Sequence, residues 1–447
     1  MSADDPAINP FADEQTAPLA SRPRLIVQLR QHLSDPIVAG GALLLGRQWV
    51  GKTSQLIQFR REFYDISLGV MLTLDETICQ DEETLLRYIA ERSTELIIEQ
   101  GYATTDTDLL SDPLVQVDDA PDNDTDEPDQ ATPDARQWLA ETVLPACFRY
   151  IRNQRRLVWL IDDAHYLIDA IEDGQLSADL PTFLHGLLGQ QLAIIMAADL
   201  NYEDRIATLS PLIQAENVHQ LHSLDQAVVG TFYRALPQTL FADKTIDEIY
   251  RVTGGEPFLV DHLARRLYAI KADEMQNLTD AHIKQVTGAI YQDAEPFFRA
   301  LWGQLSQAQQ LVLTALSNRQ YATPIETVTT ARIATWLAEI DLPLDDTSIN
   351  AALRGLAYMD FIDREQATIR VKSRLMQRWL LENAYIAPSK RSVTDEIQVA
   401  NRVWMWVLAG LLGLVLLIGV AASVTQQNGT DDISSVPTVT LVPNTSP

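Results

Sequence analysis

Apolar positions along this chain change period several times. Residues 40–45, 66–74, 155–165 and 191–200 contain short, nearly unbroken apolar runs, which predict strands buried on both faces. Between them the spacing turns helical, over 24–33, over 53–63 and through DEETLLRYIAERSTELIIEQG, which opens on acids and stops at Gly101. A last short strand is expected at 218–221. Strands of this kind alternating with helices predict an α/β fold with a parallel sheet covered on both sides.

Beyond Leu224 the pattern is helical, broken once at Gly254-Gly255-Glu256-Pro257. From Phe297 a further unit begins. Ser306 and Gln309 stand at capping-box spacing ahead of one helix, and two more helices follow. A hairpin is expected from 361–363 and 368–371, then a closing helix in SRLMQRWLLEN. Three helices followed by a hairpin is the order of a winged-helix domain.

Two segments depart from globular patterning. Residues 106–134 are rich in Asp and Pro with no basic residue, which predicts a disordered insertion. Residues 403–424 carry no charge, and at about 1.5 Å per residue they extend about 33 Å, enough to cross a bilayer. Trp404 and Trp406 suit an interface, and Lys390, Arg391 and Arg402 before the span place the preceding domains in the cytoplasm. The acidic N-terminus has no apolar region of a secretory signal. Cys79 and Cys147 make neither a metal pattern nor a disulfide framework.

The net charge is −27, a field that repels phosphate backbones and argues against nucleic acid as a partner. The third helix of the winged-helix order has Arg354 as its only cation, behind Asp345 and Asp346. Arg364, Arg370, Lys372 and Arg374 gather around the hairpin, where the α/β core, anionic lipid or phosphate are the alternative contacts.

The candidate chemistry lies in Gly46-Arg47-Gln48-Trp49-Val50-Gly51-Lys52-Thr53, which fits G-x-x-x-x-G-K-[ST] between a buried strand and a helix. Glycines let the backbone curl so that N–H groups point at a polyphosphate, and the helix offers its positive end to the same anion. Lys52 can reach the β- and γ-phosphates, and the Thr53 hydroxyl can ligate Mg²⁺. LVWLIDD then brings Asp162 to the C-terminal edge of the sheet, where it would hold Mg²⁺, and Asp163 as the group that orients or deprotonates water. Asp199, Asn201 and Arg205 end or follow the next strand, with γ-phosphate sensing set against plain loop polarity and a surface arginine. For His165 a packing or surface role is expected.

In their order, GRQWVGKTS, LVWLIDD and TGGEPF resemble the signal-transduction ATPases with numerous domains, the STAND branch of AAA+-related P-loop NTPases. The likeness runs from about Ala17 to Asn383. It implies ATP and Mg²⁺ as ligands, with contacts from Gly46 through Ser54, from Arg22 in the segment that touches adenine, and from Pro257 of a G-x-P motif. It also implies slow hydrolysis and nucleotide-controlled homo-oligomerisation or partner recruitment. Neither the effector domain nor the repeat array usual in that family is found.

The expected organisation is an extended segment at 1–22, a P-loop core at 23–225 with an insertion at 104–135, and a helical lid at 226–295. A winged helix at 296–386, a linker at 387–402, a single transmembrane helix at 403–424 and an external tail at 425–447 complete it. The function expected is a membrane-anchored cytoplasmic ATPase switch. The alternatives are a membrane-tethered DNA-binding regulator or initiator, and a motor for envelope assembly or secretion.

Overall fold

The computed structural model describes residues 21–34, 41–102, 134–151, 155–236, 241–271, 278–322, 328–365 and 368–384. The transmembrane span expected at 403–424, its linker and tail, most of the N-terminal segment and nearly all of the acidic insertion lie outside these residues. Among the described residues no helix is long and apolar enough to cross a membrane. The described residues outside 338–343 form one compact unit, and 338–343 is grouped apart.

The first half alternates helices and strands as the patterning predicts: α1 (Pro23–Ser34), β1 (Gly41–Gly46), α2 (Lys52–Glu62), β2 (Ser67–Thr73) and α3 (Glu82–Glu99). A helix then starts as α4 (Ala135–Trp138), widens through one π turn and continues as α5 (Leu144–Ile151). After it come β3 (Arg156–Asp162), α6 (His165–Glu172), α7 (Leu180–Leu187), β4 (Leu192–Asp199), a 3₁₀ segment (Leu200–Leu209) and β5 (Ile213–Gln220). All five strands are parallel, in the order β2-β3-β4-β1-β5.

Period-two alternation divides the strand residues between two apolar layers. Leu43, Leu45, Val70, Leu72, Trp159, Ile161, Ile194 and Met196 face one layer with α3 and α5. Ala42, Leu44, Val158, Leu160, Ala193 and Ile195 face the other, with α1 and α2. Trp159 is fully buried and gives its indole N–H to Ser93 Oγ of α3 at 3.0 Å, so the one polar atom of this core indole is satisfied. Strand β5 begins five residues before the predicted strand. It is an edge strand with Gln214, Ala215 and Glu216 exposed, and so lacks the apolar run that marks its neighbours.

Helices fill the second half: α8 (Gln226–Ala235), α9 (Asp243–Thr253), α10 (Pro257–Lys271), α11 (Asp280–Asp293) and α12 (Glu295–Gly303). Gly254 and Gly255 both hold positive φ, 66° and 72°, and turn the chain between α9 and α10. A Cβ on Gly255 would lie 2.1 Å from the Leu224 carbonyl, and Leu224 N donates to Gly255 O at 2.8 Å. Glycine is therefore required where the lead into α8 is stitched to this turn.

Next come α13 (Gln307–Ala322), α14 (Thr330–Glu339), α15 (Asp346–Tyr358), an antiparallel hairpin of β6 (Ile362–Glu365) and β7 (Thr368–Val371), and α16 (Arg374–Asn383). The predicted capping box closes as expected: Ser306 N donates to Gln309 Oε1 at 2.8 Å, and Gln309 N to Ser306 Oγ at 3.4 Å.

Candidate functional site

The G-x-x-x-x-G-K-T stretch occupies the turn between β1 and α2, at the C-terminal edge of the sheet. Its curl uses positive φ at two places, 69° at Trp49 and 89° at Gly51. Left-handed backbone is unusual for tryptophan and costs on the order of 1 kcal/mol or more. Packing accompanies it: the Trp49 ring meets Phe258 of α10 edge-on at 5.1 Å and Phe297 of α12 at 6.1 Å. At Gly46 a Cβ would come within 2.6 Å of Val50 Cγ1, so the loop closes on itself only with glycine there.

Lys52 opens α2, and its ammonium donates to Gly46 O at 2.9 Å and Arg47 O at 3.2 Å. It also lies 3.8 Å from Asp199 Oδ2, at the end of β4. Gly46 and Asp199 are register partners of β1 and β4, which explains the meeting. Burial pulls the Lys52 ammonium below its ordinary value, while Asp199, Asp163 and Asp162 pull the other way.

Thr53 donates its hydroxyl to Asp162 Oδ2 at 2.5 Å. Asp162 ends β3, is 3% exposed, and accepts from the Asp163 N–H at 3.1 Å. Burial pushes its carboxyl above the usual range, opposed by the Thr53 hydrogen bond. Asp163 has φ of 54° and turns its more exposed carboxylate toward the cavity. A hydroxyl and a carboxylate side by side, with a lysine next to the hydroxyl in the chain, match the donor set for a phosphate-bound magnesium ion: hard oxygen ligands next to a phosphate-binding cation.

Arg22, just ahead of α1, gives Nη2 to Val50 O and to His222 O, each at 2.8 Å, and burial brings its pKa down to about 10. The adjoining cavity has a volume of about 420 Å³. Arg22, Gln48, Trp49, Gly51, Lys52, Thr53, Ser54, Asp163 and Pro257 line it, so most of the predicted ligand-contact residues come together. Gly46, Arg47, Val50 and Asp162 do not line it. Val50 is fully buried under the loop, and Arg47 turns its guanidinium away toward Glu256.

Arg205 stands elsewhere. It pairs with Asp169 at 2.8 Å and Glu172 at 2.5 Å, both on α6, and does not line the cavity. Asn201 gives its N–H to Asp199 Oδ1 at 3.0 Å. His165 stacks on Tyr166 at 4.5 Å and lies 3.9 Å from Asp163 Oδ1.

Phe232, Phe258, Asp261 and Arg265 line the cavity without having been singled out from the sequence. Their signal was available in part. Pro257, Asp261 and Arg265 follow at four-residue steps, so one face of α10 presents all three, with Arg265 Nε donating to Asp261 Oδ2 at 2.7 Å.

No protein-family model matches the chain, and no curated protein matches it. Among solved structures it is similar to the Walker-type ATPase PABY2304 of Pyrococcus abyssi, at 16% identity over 81% of this chain and 96% of that one, with a TM-score of 0.48. It is also similar to the ORC2 protein of Aeropyrum pernix in its ADPNP–ADP complexes, at 12% identity, 81% and 93% coverage and a TM-score of 0.47. A third similar structure is the RuvB Holliday junction branch migration motor of Thermotoga maritima, at 13% identity, 78% and 90% coverage and a TM-score of 0.33.

Proposed function

We propose that this protein binds ATP with Mg²⁺ between the β1–α2 loop and α10, hydrolyses it slowly, and works as a membrane-anchored cytoplasmic switch of the STAND/AAA+ type. One observation carries the reading: Lys52, Thr53 and Asp162 converge at one sheet edge, with the hydroxyl on the carboxylate at 2.5 Å and the ammonium on two loop carbonyls. Lys52 would meet the β- and γ-phosphates. Thr53 and Asp162 would hold Mg²⁺, which neutralises charge on the phosphates. Asp163, open to the cavity, orients the attacking water and takes its proton. The aromatic wall of Trp49, Phe232 and Phe258 suits a base, and excludes water from it.

The order α13, α14, α15, β6, β7, α16 supports a winged-helix assignment for the last unit. Contacts of this unit with the core favour a packing role over duplex reading. Tyr358 at the end of α15 donates to Glu203, and Asp360 takes the Ser223 N–H at 2.9 Å and lies 3.2 Å from His222 Nδ1. The output is homo-oligomerisation or partner recruitment at the membrane held by 403–424.

The test is Mg·ATP binding and turnover by the full chain in detergent micelles, beside Lys52→Ala. Wild-type protein should bind and turn over slowly, and the variant should lose nucleotide. Equal behaviour of the two proteins defeats the assignment. A gel shift with duplex DNA at moderate salt should show no complex.

A further inference from the structure

Arg47 belongs to the phosphate loop by its backbone but not by its side chain. Its carbonyl holds Lys52, yet its guanidinium is buried on the far side of the loop and pairs with Glu256 Oε1. Glu256 immediately precedes Pro257, the first residue of α10, and also accepts from Ser223 Oγ at 3.1 Å. The same guanidinium lies 5.8 Å from the ring centroid of Phe361, next to β6. Arg47 and Glu256 together thus join the loop, the lead into α8, the start of α10 and the residue ahead of β6.

Stability alone is a poor reason for this arrangement. Both partners are nearly out of water, at 4% and 6% exposure. Taking two charges out of water costs several kcal/mol each, and a matched apolar pair often does as well. Pairing here is incomplete too: among the described residues Arg47 Nε and Nη1 and Glu256 Oε2 have no hydrogen-bond partner. The pair also lies within electrostatic range of the site's cations. After burial and the acids, Arg47 is among the groups that set the Lys52 pKa, and Glu256 among those that set that of Arg22.

We propose that Arg47 and Glu256 are positioning residues for the nucleotide site: their ionic tie holds the curl of the phosphate loop against α10, so phosphate binding and seating of the lid helices reinforce each other. The proposal rests on the nucleotide reading above. Because coupling is reciprocal, breaking the tie weakens nucleotide binding and loosens the α8 lead together.

The experiment uses the full chain in micelles as wild type, Lys52→Ala, Arg47→Met, Glu256→Gln and the double Arg47→Met/Glu256→Gln. Melting temperature, Mg·ATP affinity and the rate of protease cleavage at 222–226 in nucleotide-free protein are measured. Each single substitution should lower the melting temperature, and the double should recover most of it, since no buried charge is left alone. Affinity should fall roughly tenfold in both single variants and stay equally low in the double, with cleavage faster in all three. If affinity returns with the melting temperature in the double variant, or cleavage stays at the wild-type rate, the tie is only structural and the proposal is overturned. Wild-type protein that does not bind Mg·ATP overturns the nucleotide reading as well. Normal wild-type binding with loss in Lys52→Ala confines any failure to the tie.

Discussion

Strand β3 begins with a half-buried cation and ends with a buried anion, and the two ends are built differently. At the start, Arg156 donates to Leu33 O at 2.8 Å, Gly189 O at 2.6 Å and Leu192 O at 3.2 Å, and burial pulls its pKa down. At the finish, Asp162 is held by the Thr53 hydroxyl and the Asp163 N–H, with Lys52 and Asp163 both acting on its charge. Main-chain carbonyls of α1, of β4 and of the loop before β4 are part of the backbone and cannot be exchanged for a ligand. A hydroxyl, an ammonium and a pair of carboxylates can regroup around one. The first end is a staple, and the second has the properties of a binding site.

The largest test of this contrast pairs Lys52→Ala with Arg156→Met. The first should weaken Mg·ATP binding by roughly 100-fold or more with little change in melting, since a charge-assisted phosphate contact is removed. The second should leave affinity alone and cost about 2–3 kcal/mol of folding stability, because three carbonyls lose a charged donor. Calorimetry and denaturant titration of both variants would expose any mixing of the two roles.

Next in size, Asp163→Asn should keep nucleotide binding and slow turnover by about 10²- to 10⁴-fold, in single-turnover assays. Thr53→Val should reduce affinity about tenfold with Mg²⁺ present, and much less with the metal chelated. A smaller effect is expected from pH. Binding uses the protonated Lys52, whose pKa is depressed by burial, so affinity should begin to fall before pH reaches the ordinary lysine value of 10.5. Arg156→Met should show the same profile, because its guanidinium takes no part in that titration.

Much of this was legible before any fold was known. An apolar run, two glycines and a lysine located β1, the loop and α2, and an apolar run closed by two aspartates located β3 and the carboxylate side of the candidate site. These are local patterns, and neighbouring strands of a parallel sheet turn them into one edge. Side-chain direction was not legible. Arg205 follows a strand end as a phosphate-sensing cation would, yet Asp169 and Glu172 on α6 take it. The tie from Arg47 to Glu256 spans 209 positions and leaves no periodic trace. Strand β5 was foreshortened because polar residues on an edge break the apolar signal.

Trp49 has one more consequence. Its indole stands in the phosphate loop itself, 40% exposed and against Phe258, while Trp159 is sealed in the sheet. Among the described tryptophans it alone lines the cavity. The proposed site would therefore carry its own optical gauge: a change in emission on adding Mg·ATP that vanishes in Trp49→Phe would read occupancy directly, without a dye or a labelled nucleotide.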